Sequence, residues 1–121
     1  MKRVVVTGLG CLSAAGNNVG ESWENILQAN SGIKNISSFD TSSLEVKIGG
    51  EVSNFDPRSF LSFKETKNYS RFVQFSIAAS LEALKDAQLP VGKSQENYGC
   101  SIGVGLGDLN YIDDTSKKYQ K

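Results

Sequence analysis

The chain has 121 residues, 13 Lys plus Arg against 13 Asp plus Glu, and 39% hydrophobic residues, the composition of an ordinary globular domain. That length supports one core rather than two, and a zero net charge excludes a nucleic-acid binder that works by bulk neutralisation of phosphates. No apolar run approaches the ~20 residues of a membrane helix, and Met1-Lys2-Arg3 followed by a short valine run is no signal peptide, so neither a membrane nor a nucleic-acid partner is expected.

In chain order, Val4-Val5-Val6 is β-branched on consecutive positions and predicts a central strand covered on both faces. Gly8-Leu9-Gly10 ends it in a turn. Asn18 with Glu21 predicts a capping box, and Val19, Trp23, Ile26 and Leu27 form one apolar stripe of the helix that follows, with Gly32 as its C-terminal cap. From Ser31 to Pro57 the pattern loosens into a long surface connection, with a short strand at Val46 to Val52 around Gly49-Gly50. A helix from Asn68 to Ala87 carries Phe72, Phe75, Ala79 and Ala83 on one side and Val73, Ile77, Leu81 and Leu84 on the other, so it should be packed on two sides and stopped by Pro90. Tyr98 to Val104 reads as a second buried strand, and Asp108 as the N-cap of a last helix containing Leu109, Ile112 and Tyr119. Strands alternating with helices imply an α/β layered fold.

Gly8-x-Gly10 between a strand and a helix invites a dinucleotide-binding reading, because backbone N–H groups there can cradle a pyrophosphate. The fingerprint is incomplete: Ser13 stands at the third glycine and no ribose-binding carboxylate follows at the required distance. A tight turn is the simpler reading. Gly103-x-Gly105-x-Gly107 lacks the Lys and Ser or Thr of a phosphate loop; it suggests either close packing, the reading the residues favour, or room for a narrow ligand beside Leu106. Cys11 and Cys100 lie far apart without CxxC spacing, which points to two buried structural thiols and a reducing, cytoplasmic setting. With no histidine, the chain cannot assemble a Cys-His or Ser-His pair by itself, and no metal or cofactor site is expected. Asp113 and Asp114 read as a solvated helix face.

Arg3-Val4-Val5-Val6-Thr7-Gly8-Leu9-Gly10, Gly16-Asn17, Ser31-Gly32-Ile33, Phe39-Asp40-Thr41-Ser42, Lys64-Glu65, Phe72-Val73-Gln74-Phe75 and Ile102-Gly103-Val104-Gly105-Leu106-Gly107 occur in this order along the whole chain. Together they resemble the N-terminal part of the β-ketoacyl-acyl-carrier-protein synthases, the type II elongating group in particular. Ala14 in place of proline, Tyr69-Ser70 in place of Met-Asp and Asp108 in place of glycine depart from the usual pattern.

The resemblance implies the N-terminal part of a thiolase-like layered fold, a mixed sheet with packed helices, with residues 1–121 a partial ketoacyl-synthase domain incomplete without the remainder. It implies fatty-acid biosynthesis: an acyltransferase that loads an acyl chain onto cysteine, decarboxylates malonyl-acyl carrier protein and joins the carbons. The catalytic cysteine and two histidines of that reaction match no residue here, so the chain alone is expected to be inactive. Leu106 aligns with a residue lining the acyl pocket, and Lys64 and Lys67 with basic positions that dock acyl carrier protein. The implied partners are acyl carrier protein, a second copy in a complete homodimeric enzyme, and a separately encoded C-terminal remainder. The alternatives are a non-catalytic interaction module left by a split gene and, less favoured, a small nucleotide-binding domain.

Overall fold

The carboxamide of Asn18 accepts the N–H of Glu21 at 2.8 Å and opens α1, Val19–Leu27. A computed structural model describes residues 2–90 and 98–120. Along it follow β1, Ile33–Asn35, β2, Ile48–Gly50, a 3-10 turn at Pro57–Ser59, α2, Phe63–Asn68, α3, Arg71–Asp86, and α4, Leu109–Tyr119. The strands pair antiparallel in the register Ile33 with Gly50, Lys34 with Gly49 and Asn35 with Ile48. Glu51, just beyond β2, accepts from the backbone N–H groups of Ser37 and Ser38 and so fastens the loop after β1.

The long helix is the element around which the rest is arranged. Its residues from Phe72 to Leu84 are half-buried, apart from the buried Gln74, which agrees with an apolar surface wide enough for two packing sides. Phe55 packs edge-on against Phe75 with ring centroids 4.9 Å apart, and Phe60 lies 5.7 Å from Phe55. The expected helix start at Asn68 is corrected: Tyr69 adopts an extended conformation, ending α2 and forcing a new start at Ser70. The Gln74 carboxamide then bridges the two helices by donating to the carbonyls of Thr66 and Tyr69 at 3.0 and 2.8 Å.

Neither expected buried strand is paired. Val4, Val5 and Val6 are exposed, as are Tyr98, Ile102 and Val104, and the two-stranded β1–β2 ribbon is the sheet found among the described residues. A β-strand needs neighbouring backbone to satisfy its N–H and C=O groups. Among the described residues no backbone pairs with either segment. The α1 stripe is corrected in the same way: Trp23, Ile26 and Leu27 are exposed, and the buried residue of α1 is Ser22.

Smaller corrections have local causes. The left-handed residue after α1 is Ala29, at φ 55°, rather than Gly32. Gly32 is required instead for a close approach, because a Cβ there would lie 2.6 Å from the carbonyl of Ala14. Glu21 reaches back to the N–H of Asn17, one residue before the cap, rather than to Asn18. Cys11 is half-buried, but Cys100 is exposed. Among the described residues no helix is long and apolar enough to cross a membrane.

Candidate functional site

The first glycine turn lies directly on α3. A Cβ at Gly8 or Gly10 would fall well inside van der Waals contact distance of the carbonyl oxygens of Ala83 and Ala79, so only glycine allows this approach of backbone to backbone. Two carboxylates of the helix complete the contact. Asp86 accepts the Leu9 N–H at 2.9 Å, and Glu82 accepts the Cys11 N–H at 2.9 Å and the Val19 N–H at 2.8 Å. These backbone donors are the ones a pyrophosphate would need, and side-chain anions already occupy them. The turn is therefore a packing device, and the dinucleotide reading has no free cradle. Residues 79, 82, 83 and 86 recur at helical period and so share one face of α3, but that spacing does not say what packs on the face.

Lys64 and Lys67 lie on α2. Ser62 and Glu65 form a complete capping box: the Glu65 N–H donates to the Ser62 hydroxyl at 3.3 Å and Glu65 accepts the Ser62 N–H at 2.8 Å. The same serine holds the Glu65 carboxyl below the usual range, first through its hydroxyl and then through its N–H. The Lys67 ammonium stands 4.5 Å from the centroid of the Phe63 ring, an interaction worth about 0.5–1 kcal/mol at an exposed site. Both lysines are exposed, and α2 brings them together within one turn.

Leu106 is placed apart from them. It is 76% exposed, and hypothetical Cβ atoms at Gly103, Gly105 and Gly107 meet nothing within 4 Å. The close-packing reading of this glycine run is thus corrected: among the described residues there is no surface for it to pack on. Gly107, at φ +74°, turns the chain into α4, whose N-cap is Asp108 as the sequence predicts. The Asp108 carboxyl is lowered first by the Ser70 hydroxyl and then by the Tyr111 N–H. Asp113 pairs with Lys117 one turn on, while Asp114 is exposed.

A polar cleft of about 450 Å³ lies between Ser13–Asn17, α1 and Lys34. Its amides are engaged internally, Asn17 donating to the Ser53 carbonyl at 2.8 Å and Asn25 to the Ala15 carbonyl at 2.7 Å. Among the described residues no group of His, Cys, Asp and Glu is arranged to hold a metal.

The β-ketoacyl synthase N-terminal domain matches residues 1–121, and the chain belongs to that family. Among curated proteins it is 40% identical over 114 residues to 3-oxoacyl-(acyl-carrier-protein) synthase 2 of Synechocystis sp., covering 93% of this chain and 27% of that protein. The Vibrio cholerae synthase of the same name is 41% identical over 113 residues, again 93% of this chain and 27% of the relative. The Staphylococcus aureus one is 39% identical over 118 residues, with 97% and 28% covered. Among solved structures, the ishigamide ketosynthase/chain length factor superposes with TM-score 0.64 at 30% identity, over 71% of this chain and 21% of that one. The fold is the N-terminal part of a ketosynthase domain of the thiolase-like class. The chain spans about 27% of the length of its curated relatives.

Proposed function

We propose that residues 1–121 are the N-terminal part of a 3-oxoacyl-acyl-carrier-protein synthase of fatty-acid biosynthesis, supplying scaffold, acyl-pocket and docking groups to an acyltransferase whose nucleophile lies elsewhere. The observation that carries this reading is the family match along the whole chain, supported by about 40% identity to synthases of that name. In this reading Glu82, Asp86 and the two glycines hold the Gly8–Gly10 turn and the start of α1 against α3. Leu106 lines the acyl pocket, and Lys64 and Lys67 meet the acidic carrier protein. The complete enzyme is a homodimer. Its enolate and oxyanion would be stabilised by histidines and backbone N–H groups outside this segment, since the chain contains no histidine.

A non-catalytic module that pairs with a separately encoded remainder is the second reading, favoured by the exposure of Val4–Val6, Trp23, Ile26 and Leu27, more apolar surface than a self-sufficient domain usually leaves open. One experiment tests both. The chain alone, incubated with acyl- and malonyl-acyl carrier protein, should form no β-ketoacyl product. A chimera in which it replaces the matching segment of the Vibrio cholerae synthase should condense, and adding the separate remainder to the chain should restore activity only under the second reading. Product from the chain alone, or a folded but inactive chimera, would overturn the proposal.

A further inference from the structure

Successive helical residues are about 100° apart, so Phe63, Lys67, Lys64 and Asn68 share an arc of about 140° on α2, while Glu65 and Thr66 point to the other side. Exposure follows the same division. The first four are exposed and Glu65 and Thr66 half-buried, with the Thr66 hydroxyl fully enclosed. Phe63 is 71% exposed at the first position of the helix, where the capping box fixes its backbone. Lys67 lies over its ring, and Glu65 is folded back onto Ser62. Solvent therefore meets an aromatic ring with the Lys67 ammonium over it and Lys64 on the same exposed arc, while the one carboxylate of α2 is turned away.

We propose that Phe63 is the apolar anchor of the carrier-protein docking face. It would receive an exposed aliphatic side chain of the acidic carrier protein, while Lys64 and Lys67 engage the carboxylates around that side chain. The inference rests on the reading of this segment as part of a carrier-protein-dependent synthase. Its physical basis is a division of labour: charges at the rim act at long range and raise the association rate, whereas a desolvated aromatic at the centre slows dissociation. A wholly basic helix would attract an acidic partner but hold it poorly at physiological salt, because exposed ion pairs are screened.

The test is binding of the purified chain to acyl carrier protein by surface plasmon resonance at low and high salt. Phe63→Ala should weaken affinity roughly five- to tenfold at both salt concentrations, chiefly through faster dissociation. Lys64→Glu should slow association at low salt, with the difference shrinking at high salt. Phe63→Lys, which retains helix propensity and adds a charge, separates the two mechanisms: an anchor predicts weaker binding, a purely electrostatic face tighter binding. Circular dichroism checks that α2 persists, and if Phe63→Ala disrupts it the Phe63→Lys result decides. Unchanged or tighter binding by Phe63→Lys alongside weakened binding by Lys64→Glu would remove the anchor and leave the docking reading intact. If the unmodified chain does not bind, or no substitution alters binding, the docking reading itself falls and the anchor with it.

Discussion

Replacing Glu82 by alanine tests the contact that ties the N-terminal turn to the long helix. The carboxylate accepts two backbone N–H groups, those of Cys11 at 2.9 Å and Val19 at 2.8 Å, both part-buried. Among the described residues, neither N–H has another hydrogen-bond partner. A buried donor left unsatisfied costs about 1–3 kcal/mol, and partial hydration of these two moves each towards the lower limit, so the sum should be about 2–3 kcal/mol. Asp86 accepts a single, exposed N–H from Leu9, and Asp86→Ala should cost less, about 0.5–1 kcal/mol. Urea unfolding can be followed through Trp23, the only tryptophan, which lies on α1 one turn beyond the clamped Val19. Amide hydrogen exchange gives the local readout: protection at Cys11 and Val19 should fall in Glu82→Ala while the centre of α3 is spared. Unchanged stability with protected Cys11 and Val19 amides would refute the clamp.

The two glycine groups should respond in opposite ways. Gly10→Ala forces a Cβ into the Ala79 carbonyl and should cost about 3 kcal/mol or more, whereas Gly103→Ala meets nothing within 4 Å and should be neutral or stabilising by up to about 1 kcal/mol; thermal melts of both variants decide. The Glu51 carboxyl is held down to about 2, first by the Ser38 hydroxyl and then by the N–H and hydroxyl of Ser37. Because its folded value lies below its ordinary value of 4.5, its contribution should be complete above about pH 5 and lost as pH falls through 2, while Glu51→Gln should abolish that pH dependence in the exchange rates of the Ser37 and Ser38 amides. In the chimeric synthase, Leu106→Phe should slow condensation of long acyl chains and spare short ones, since only a long chain must pass that side chain; an equal loss at every length would place Leu106 in packing instead.

Local chemistry was readable from residue order. Asn18 and Asp108 cap their helices as their side chains require, and the apolar face of α3 declares a helix half-buried along its length. The family was readable too, because glycine pairs, caps and helix faces recur in one order over the chain. Non-local contacts were not. Nothing in the sequence near Gly8 says that Glu82 and Asp86, more than seventy positions on, occupy the donors that a nucleotide would need. Tertiary structure alone decided that the glycine turn is a packing seam, and that Phe63 joins the two lysines on one exposed face. It also decided that Val4–Val6 and Tyr98–Val104 stay unpaired, because β-branched residues set a preference for extended backbone, whereas a strand exists only where another backbone meets its hydrogen bonds.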